Sequence, residues 1–204
     1  MDMEIIKELF EFNNLNSLSL EKGRVLISDP FINDDYFSKS VVFLCETNEK
    51  GGFGLVLNHF IYETLGDFMN QFEDIDCSDF KISIGGPVDT DSIYYIHTRP
   101  DLIPNSIKVN DTIYLGNGEE FDSVASLIKE NLINSNEIRF FLGYSGWTPG
   151  QLQDELIKNS WFVGNISDST LMNYQEEDIW KKTLEKMSDK HRVISNFPLN
   201  PLLN

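Results

Sequence analysis

Cysteine is scarce. Cys45 and Cys77 are the two in 204 residues, too few for a disulfide framework or a cysteine-rich zinc site. Histidine is scarcer for its usual work: His59, His97 and His191 are scattered without an HxxxH spacing, so no metal site is expected. No apolar run approaches the ~18 residues that a membrane-spanning helix needs. No Pro-, Gly- or Ser-rich linker divides the chain. Basic residues are outnumbered, 16 against 33 acidic, for a formal charge of −17. Such a field repels phosphate backbones, and Lys/Arg contacts supply most non-specific nucleic-acid affinity, so direct nucleic-acid binding is disfavoured. The basic opening of a signal peptide is also missing: residues 1–20 begin with acids and space Ile5, Ile6, Leu9 and Phe10 as an amphipathic helix. Together these absences predict a cytoplasmic protein with no cofactor and no membrane partner.

What is present is enough apolar and aromatic content, 41% and 12%, for a globular core. A chain this long buries roughly 70% of its unfolded surface. One domain over 1–204 is expected, with a helix over 1–20 and a loosely held tail over 193–204, where Pro198 and Pro201 bar a helix.

Periodicity and turn chemistry place the elements. Residues 24–28 are a short apolar run. Ser40–Glu46 and Phe53–Asn58 read as strands, joined through Asn48-Glu49-Lys50-Gly51-Gly52, where glycine supplies the positive φ of a hairpin. Thr64–Phe72 reads as a short helix capped by Thr64 with Asp67 in its first turn. Lys81–Ile84, Ile93–His97 and Thr112–Leu115 read as strands. Phe121–Ile133 has apolar residues at 121, 124, 125, 128 and 132, a helical spacing. Ile138–Leu142 is a strand entering Gly143-Tyr144-Ser145-Gly146-Trp147, read as a strand-to-helix turn. Thr148-Pro149-Gly150-Gln151 then has the form of a capping box opening a helix at Pro149 with Leu152 and Leu156 on its buried face. Trp161–Ile166 is a strand, and Glu176–Ser188 a helix with Trp180, Leu184 and Met187 on one face. Strands outnumber helices without strict alternation, which predicts an α+β fold: a mixed, largely antiparallel sheet with flanking helices in a compact three-layer domain.

Candidate chemistry is sparse. Gly143-Tyr144-Ser145-Gly146-Trp147 matches the nucleophile elbow G-x-S-x-G until Trp147 replaces the last glycine, and only His191 follows as a histidine. Cys45 is followed by Glu46, whose carboxylate works against a thiolate. Gly85-Gly86-Pro87-Val88 follows a strand but is neither a dinucleotide fingerprint nor a P-loop. No catalytic residue is assigned. Loops on a rigid scaffold concentrate binding residues, so Glu46, Gly85, Gly86, Pro87, Tyr144, Ser145 and Trp147 are the candidate binding residues. The Gly85–Val88 and Gly143–Trp147 segments are expected to share one rim, with the helix N-terminus after Trp147 beside it; the alternative is unrelated turns at opposite ends of the sheet.

Several segments together resemble the AlgH/YqgE family of bacterial proteins. They are 37–46 (Phe-Ser-Lys-Ser-Val-Val-Phe-Leu-Cys-Glu), 54–58 (Gly-Leu-Val-Leu-Asn), 85–88, 142–147, 150–156 (Gly-Gln-Leu-Gln-Asp-Glu-Leu) and Trp161. In order and spacing they cover residues 24–166. Thr47 stands where the family usually has His after Cys-Glu, and Ser145 where it often has Ala. The resemblance implies a compact α+β domain, a cytosolic setting and an association with transcriptional regulation, but no agreed active site. The expected function is a regulatory or binding protein acting through protein or small-ligand contacts. The alternative is a small hydrolase or thiol enzyme using the Ser145 or Cys45 region.

Overall fold

The structure is a computed structural model that describes residues 18–32, 34–116, 118–173 and 178–196. The expected helix over 1–20 lies outside the described residues except for 18–20, which are not helical, and so does the tail expected over 193–204 from residue 197 on.

The architecture is α+β, built on a largely antiparallel sheet. Its strands are β1 (Val25–Ser28), β2 (Val41–Asn48), β3 (Gly51–Val56), β4 (Ile82–Ile84), β5 (Val88–His97), β6 (Ile107–Lys108), β7 (Tyr114–Leu115), β8 (Ile138–Trp147) and β9 (Trp161–Gly164). They run in the order β6-β7-β5-β8-β3-β2-β1-β9, and β4 pairs with β8 in parallel. The helices are α1 (Leu65–Phe68), α2 (Phe121–Lys129), α3 (Gln151–Ile157), α4 (Asp168–Leu171), α5 (Ile179–Met187) and α6 (Asp189–Ile194).

Strand alternation sends successive side chains to opposite faces, and both faces are covered. Val25 and Ile27 join Val41, Phe43, Leu55 and the α5 residues Trp180 and Leu184 in one cluster. Leu26 joins Val42, Leu44, Val56 and the α3 residue Leu152 in another. That is why β1 is buried along its whole length. The α2 residues Phe121, Val124 and Ile128 pack on Tyr95, Ile138 and Phe140.

The hairpin forms as its glycines predict, with Asn48 opposite Gly51 and Gly51 at φ +131°. At α1 the Asp67 carboxylate accepts from both the N–H and the hydroxyl of Thr64, at 2.7 and 2.8 Å. The helix expected over Phe121–Ile133 stops at Lys129 because Asn131 turns left-handed at φ +56°. Leu132 is thereby thrown into solvent rather than onto the core. The expected capping box at Thr148 is half realised. Gln151 reaches back to accept from the Thr148 N–H and hydroxyl, but the Gln151 N–H bonds the Thr148 carbonyl at 3.1 Å. With Gly150 at φ +81°, ψ −19°, Thr148–Gln151 is a type II turn, and α3 starts at Gln151 instead of Pro149.

His97 is fully buried at the end of β5. Its Nδ1 accepts from the Arg99 N–H at 3.1 Å. The Ser106 hydroxyl donates to the Ile103 carbonyl, so His97 Nε2–H donates to Ser106 Oγ at 2.6 Å. The neutral ring is satisfied at both nitrogens. Burial pushes its pKa down from 6.5 to about 4, against a smaller opposing effect of the Asp101 charge. Burial lowers His59 and His191 as well. The unfolded chain therefore takes up protons below its ordinary histidine pKa while the folded chain resists them. Stability is expected to be full above about pH 6.5 and to fall as the pH drops from there toward about 4. Urea midpoints measured at intervals across that range check this, and a flat profile would contradict the neutral assignment.

Candidate functional site

The segment expected to be a turn, Gly143–Trp147, is the second half of the central strand β8. Its glycines suggested turn chemistry, but the chain is paired on both sides. Residues 138–144 of β8 pair with β5, and residues 145–147 pair with β3. β8 thus passes from one half of the sheet to the other at this point. Gly143, at φ +66°, makes the passage possible. Phe141 and Tyr144, three residues apart, both join the same cluster, which a regular alternating strand does not allow.

The expected shared rim exists as proximity and fails as an opening. A Cβ on Gly86 would lie 1.9 Å from the Tyr144 carbonyl carbon and 2.2 Å from Ser145 N. One on Gly85 would lie 2.3 Å from the Gly143 carbonyl oxygen. Both glycines are buried against the β8 backbone, so their close approach is to protein and not to a ligand. The Gly85 carbonyl accepts from the Val56 N–H at 2.9 Å and the Ser145 hydroxyl at 3.0 Å, while the Gly85 N–H donates to Leu142. This knot closes the gap where β3 and β8 diverge. Ser145 is buried with its proton committed to that carbonyl, so it is no elbow serine. Of the seven candidate residues, only Glu46 and Pro87 are exposed, and Tyr144 is half-buried.

Trp147 is likewise structural. Its indole N–H donates to Glu155 Oε2 at 2.9 Å, and the Trp161 indole donates to the same oxygen at 2.7 Å. Gln151 Nε2 donates to Glu155 Oε1. One carboxylate on α3 thereby ties β8 to β9. Glu155→Gln keeps the shape but brings an amide N–H₂ against the Gln151 donor. It should cost about 1 kcal/mol in urea denaturation with a red-shifted tryptophan emission.

Cys45 fares no better as a nucleophile. It is buried in the cluster beside Phe43 and Val41, and burial pushes its thiol pKa strongly up. The register shifts between Leu44 and Glu46, so Glu46 is left exposed opposite Phe53, where Asn48 Nδ2 donates to it at 2.6 Å. Among the described residues no three His, Cys, Asp or Glu side chains gather as metal ligands, and no helix is long and apolar enough to cross a membrane.

Glu46 does stand at two surface openings. One is a shallow cleft of about 210 Å³ over the hairpin, bounded by Asn48, Lys50, Gly52 and Trp147. The other is a groove of about 840 Å³ along β5. Asp91, Ser92, Ile93, Tyr94 and Tyr95 line it in unbroken succession, with Phe68 at the end of α1, Met69 after it, Ile107 of β6, Leu115 of β7 and Phe121 of α2 among the other lining residues. Phe53 links groove to seam, its ring stacked on Tyr144 at 4.7 Å and 5.5 Å from Tyr94. Tyr94 donates to Asp89 at 2.6 Å, which fixes the ring. Phe68 and Ile107 are exposed, 40% and 64%, large apolar surface for a rim. Apart from Glu46 and, through Phe53, Tyr144, sequence reasoning missed this groove. The exposed apolar Ile107 amid polar neighbours was its faint signal.

The AlgH-like family model, DUF179, matches residues 25–192. A UPF0301 protein of Bacteroides thetaiotaomicron is 38% identical over 202 residues, covering 99% of this chain and all of the relative. One of Cytophaga hutchinsonii is 36% identical over 190 residues, covering 91% of this chain and all of the relative. Among solved structures, a Corynebacterium diphtheriae protein superposes with a TM-score of 0.74 at 20% identity, over 93% of this chain and 97% of that one. The AlgH protein of Pseudomonas aeruginosa gives 0.68 at 22% identity, over 90% and 98%. At these identities the two structures speak for the fold alone.

Proposed function

The chain belongs to the AlgH-like family, and from that premise we propose that it is a binding module and not a catalyst, working through ligand or protein contacts in the groove along β5. One contrast carries the reading. The two nucleophile candidates are consumed by the fold, Ser145 in the seam and Cys45 in the core, while a groove of about 840 Å³ is lined by aromatic side chains. Sites of this kind, apolar walls with a few polar groups, suit recognition. Any part in transcriptional regulation would run through a protein or small ligand, because a charge of −17 opposes contact with DNA. The setting that goes with this is the cytoplasm.

The test is a panel of ester, phosphate-ester and thiol-transfer substrates run against the wild type, Ser145→Ala and Cys45→Ala. No turnover above the uncatalysed rate is expected from any of the three. Turnover by the wild type that is lost in either folded variant would contradict the reading.

A further inference from the structure

The groove's wall is a strand edge. Gly116 N–H donates to the Tyr95 carbonyl at 2.9 Å, continuing the pairing of Ile96 with Leu115 and His97 with Tyr114. Tyr95 therefore turns its backbone polar groups toward β7, away from β8. In an antiparallel ladder every second residue faces the same neighbour, so Ile93 turns its N–H and carbonyl the same way. By then β7 has ended at Leu115, and Gly118–Glu120 is a 3-10 turn. Among the described residues no strand lies beside Ile93 on that side.

Charge says what such an edge accepts. Glu46 and Asp91 are the acidic side chains lining the groove, and no Lys or Arg lines it among the described residues. The whole chain carries 33 acidic against 16 basic residues. A second copy of this chain would bring like charge to the same edge, which selects against self-pairing.

We propose that the groove takes an extended, basic peptide segment of another protein, laid alongside β5 with its backbone bonded at Ile93. The site is the one assigned above, and the inference rests on that reading. Backbone hydrogen bonds at Ile93 supply register. The peptide's apolar side chains then drop among Phe53, Tyr94 and Ile107, and its Lys or Arg side chains reach Glu46 and Asp91 on the groove's lining.

Three synthetic decapeptides test it by calorimetry and amide exchange on the full chain: one alternating Lys with Val or Leu, one with Glu in place of Lys, and one with alternate backbone amides of the basic peptide N-methylated. The basic peptide is expected to bind and to slow exchange at Ile93. The acidic and N-methylated peptides should each bind at least about tenfold more weakly, as should the basic peptide to Asp91→Lys, an exposed substitution that leaves the core alone. Equal binding of the N-methylated peptide overturns strand addition, and equal binding of the acidic one overturns the charge assignment. A concentration-dependent dimer that protects Ile93 without peptide also overturns the proposal, since the occupant is then a second copy. If small apolar ligands shift groove resonances while the basic peptide does not bind, this inference fails and the binding-module reading stands; if nothing shifts them, that reading fails too.

Discussion

Replacing Arg139 by alanine is expected to lower the unfolding free energy by about 3–5 kcal/mol, from the void it leaves and the buried acceptors it strips of donors. Arg139 sits on β8 opposite Ile96 with no exposed surface. Its guanidinium donates to the Leu57 carbonyl at 2.6 Å, to Ser83 Oγ at 3.2 Å and to the Leu171 carbonyl. The ring faces of Phe60 and Phe141 lie 5.7 and 5.4 Å from its central carbon. One side chain thus joins the residue after β3, the middle of β4 and the end of α4. Alanine leaves the two carbonyls without these donors and opens a void the size of the guanidinium and its stem. Arg139→Met refills most of the volume and leaves only the polar loss, so it should cost roughly half as much. Urea denaturation of both variants separates the terms. An alanine variant within about 1 kcal/mol of wild type would show that the network contributes little.

Gly86→Ala should be nearly as damaging, at about 3 kcal/mol or more, because the clash is with main chain that no rotamer relieves. The added methyl would sit about 2 Å from the Tyr144 carbonyl and Ser145 N, so β8 and the Gly85–Gly86 segment must part. Parting them also breaks the Ser145 and Val56 bonds to the Gly85 carbonyl. Gly146→Ala is the matched control. Its methyl meets only the edge of the Tyr144 ring at 3.0 Å, a contact that a small ring movement relieves. That variant should lose less than about 1 kcal/mol. Similar midpoints for the two variants would contradict the close backbone approach.

These two residues mark where sequence reasoning succeeded and where it stopped. Local chemistry was readable: the β2–β3 glycines, the Thr64–Asp67 cap and the 3.6-residue spacing of Phe121, Val124, Ala125 and Ile128 each specify structure within a few residues. The pairing of Gly85–Gly86 with Gly143–Ser145 was anticipated as nearness, yet its purpose was not. A glycine that admits a ligand and a glycine that admits another strand look the same in sequence. The Gly143–Trp147 run read as a turn because strand membership there depends on β3 and β5, both distant in sequence. β5 begins at Val88, and Asp89–Ser92, with Asp89 at φ +52°, form an irregular stretch before pairing resumes at Ile93, so no strand alternation marked its start. Arg139 sat unremarked in an apolar run, though a lone cation there was the available sign of a buried hub. The groove had no local signature, being assembled from β5, β6, β7, α1 and α2.

The central claim is that the molecule works through the groove and that the glycine-rich seam is architecture. Amide chemical-shift mapping of the ¹⁵N-labelled chain against a mixed set of basic peptides and small apolar fragments tests it most directly. The shifts are expected to concentrate at Phe53, Ile93, Tyr94 and Ile107, with Gly86 and Ser145 unmoved. Ligands that instead perturb Gly86 and Ser145 while leaving Ile93 and Ile107 unchanged would contradict it.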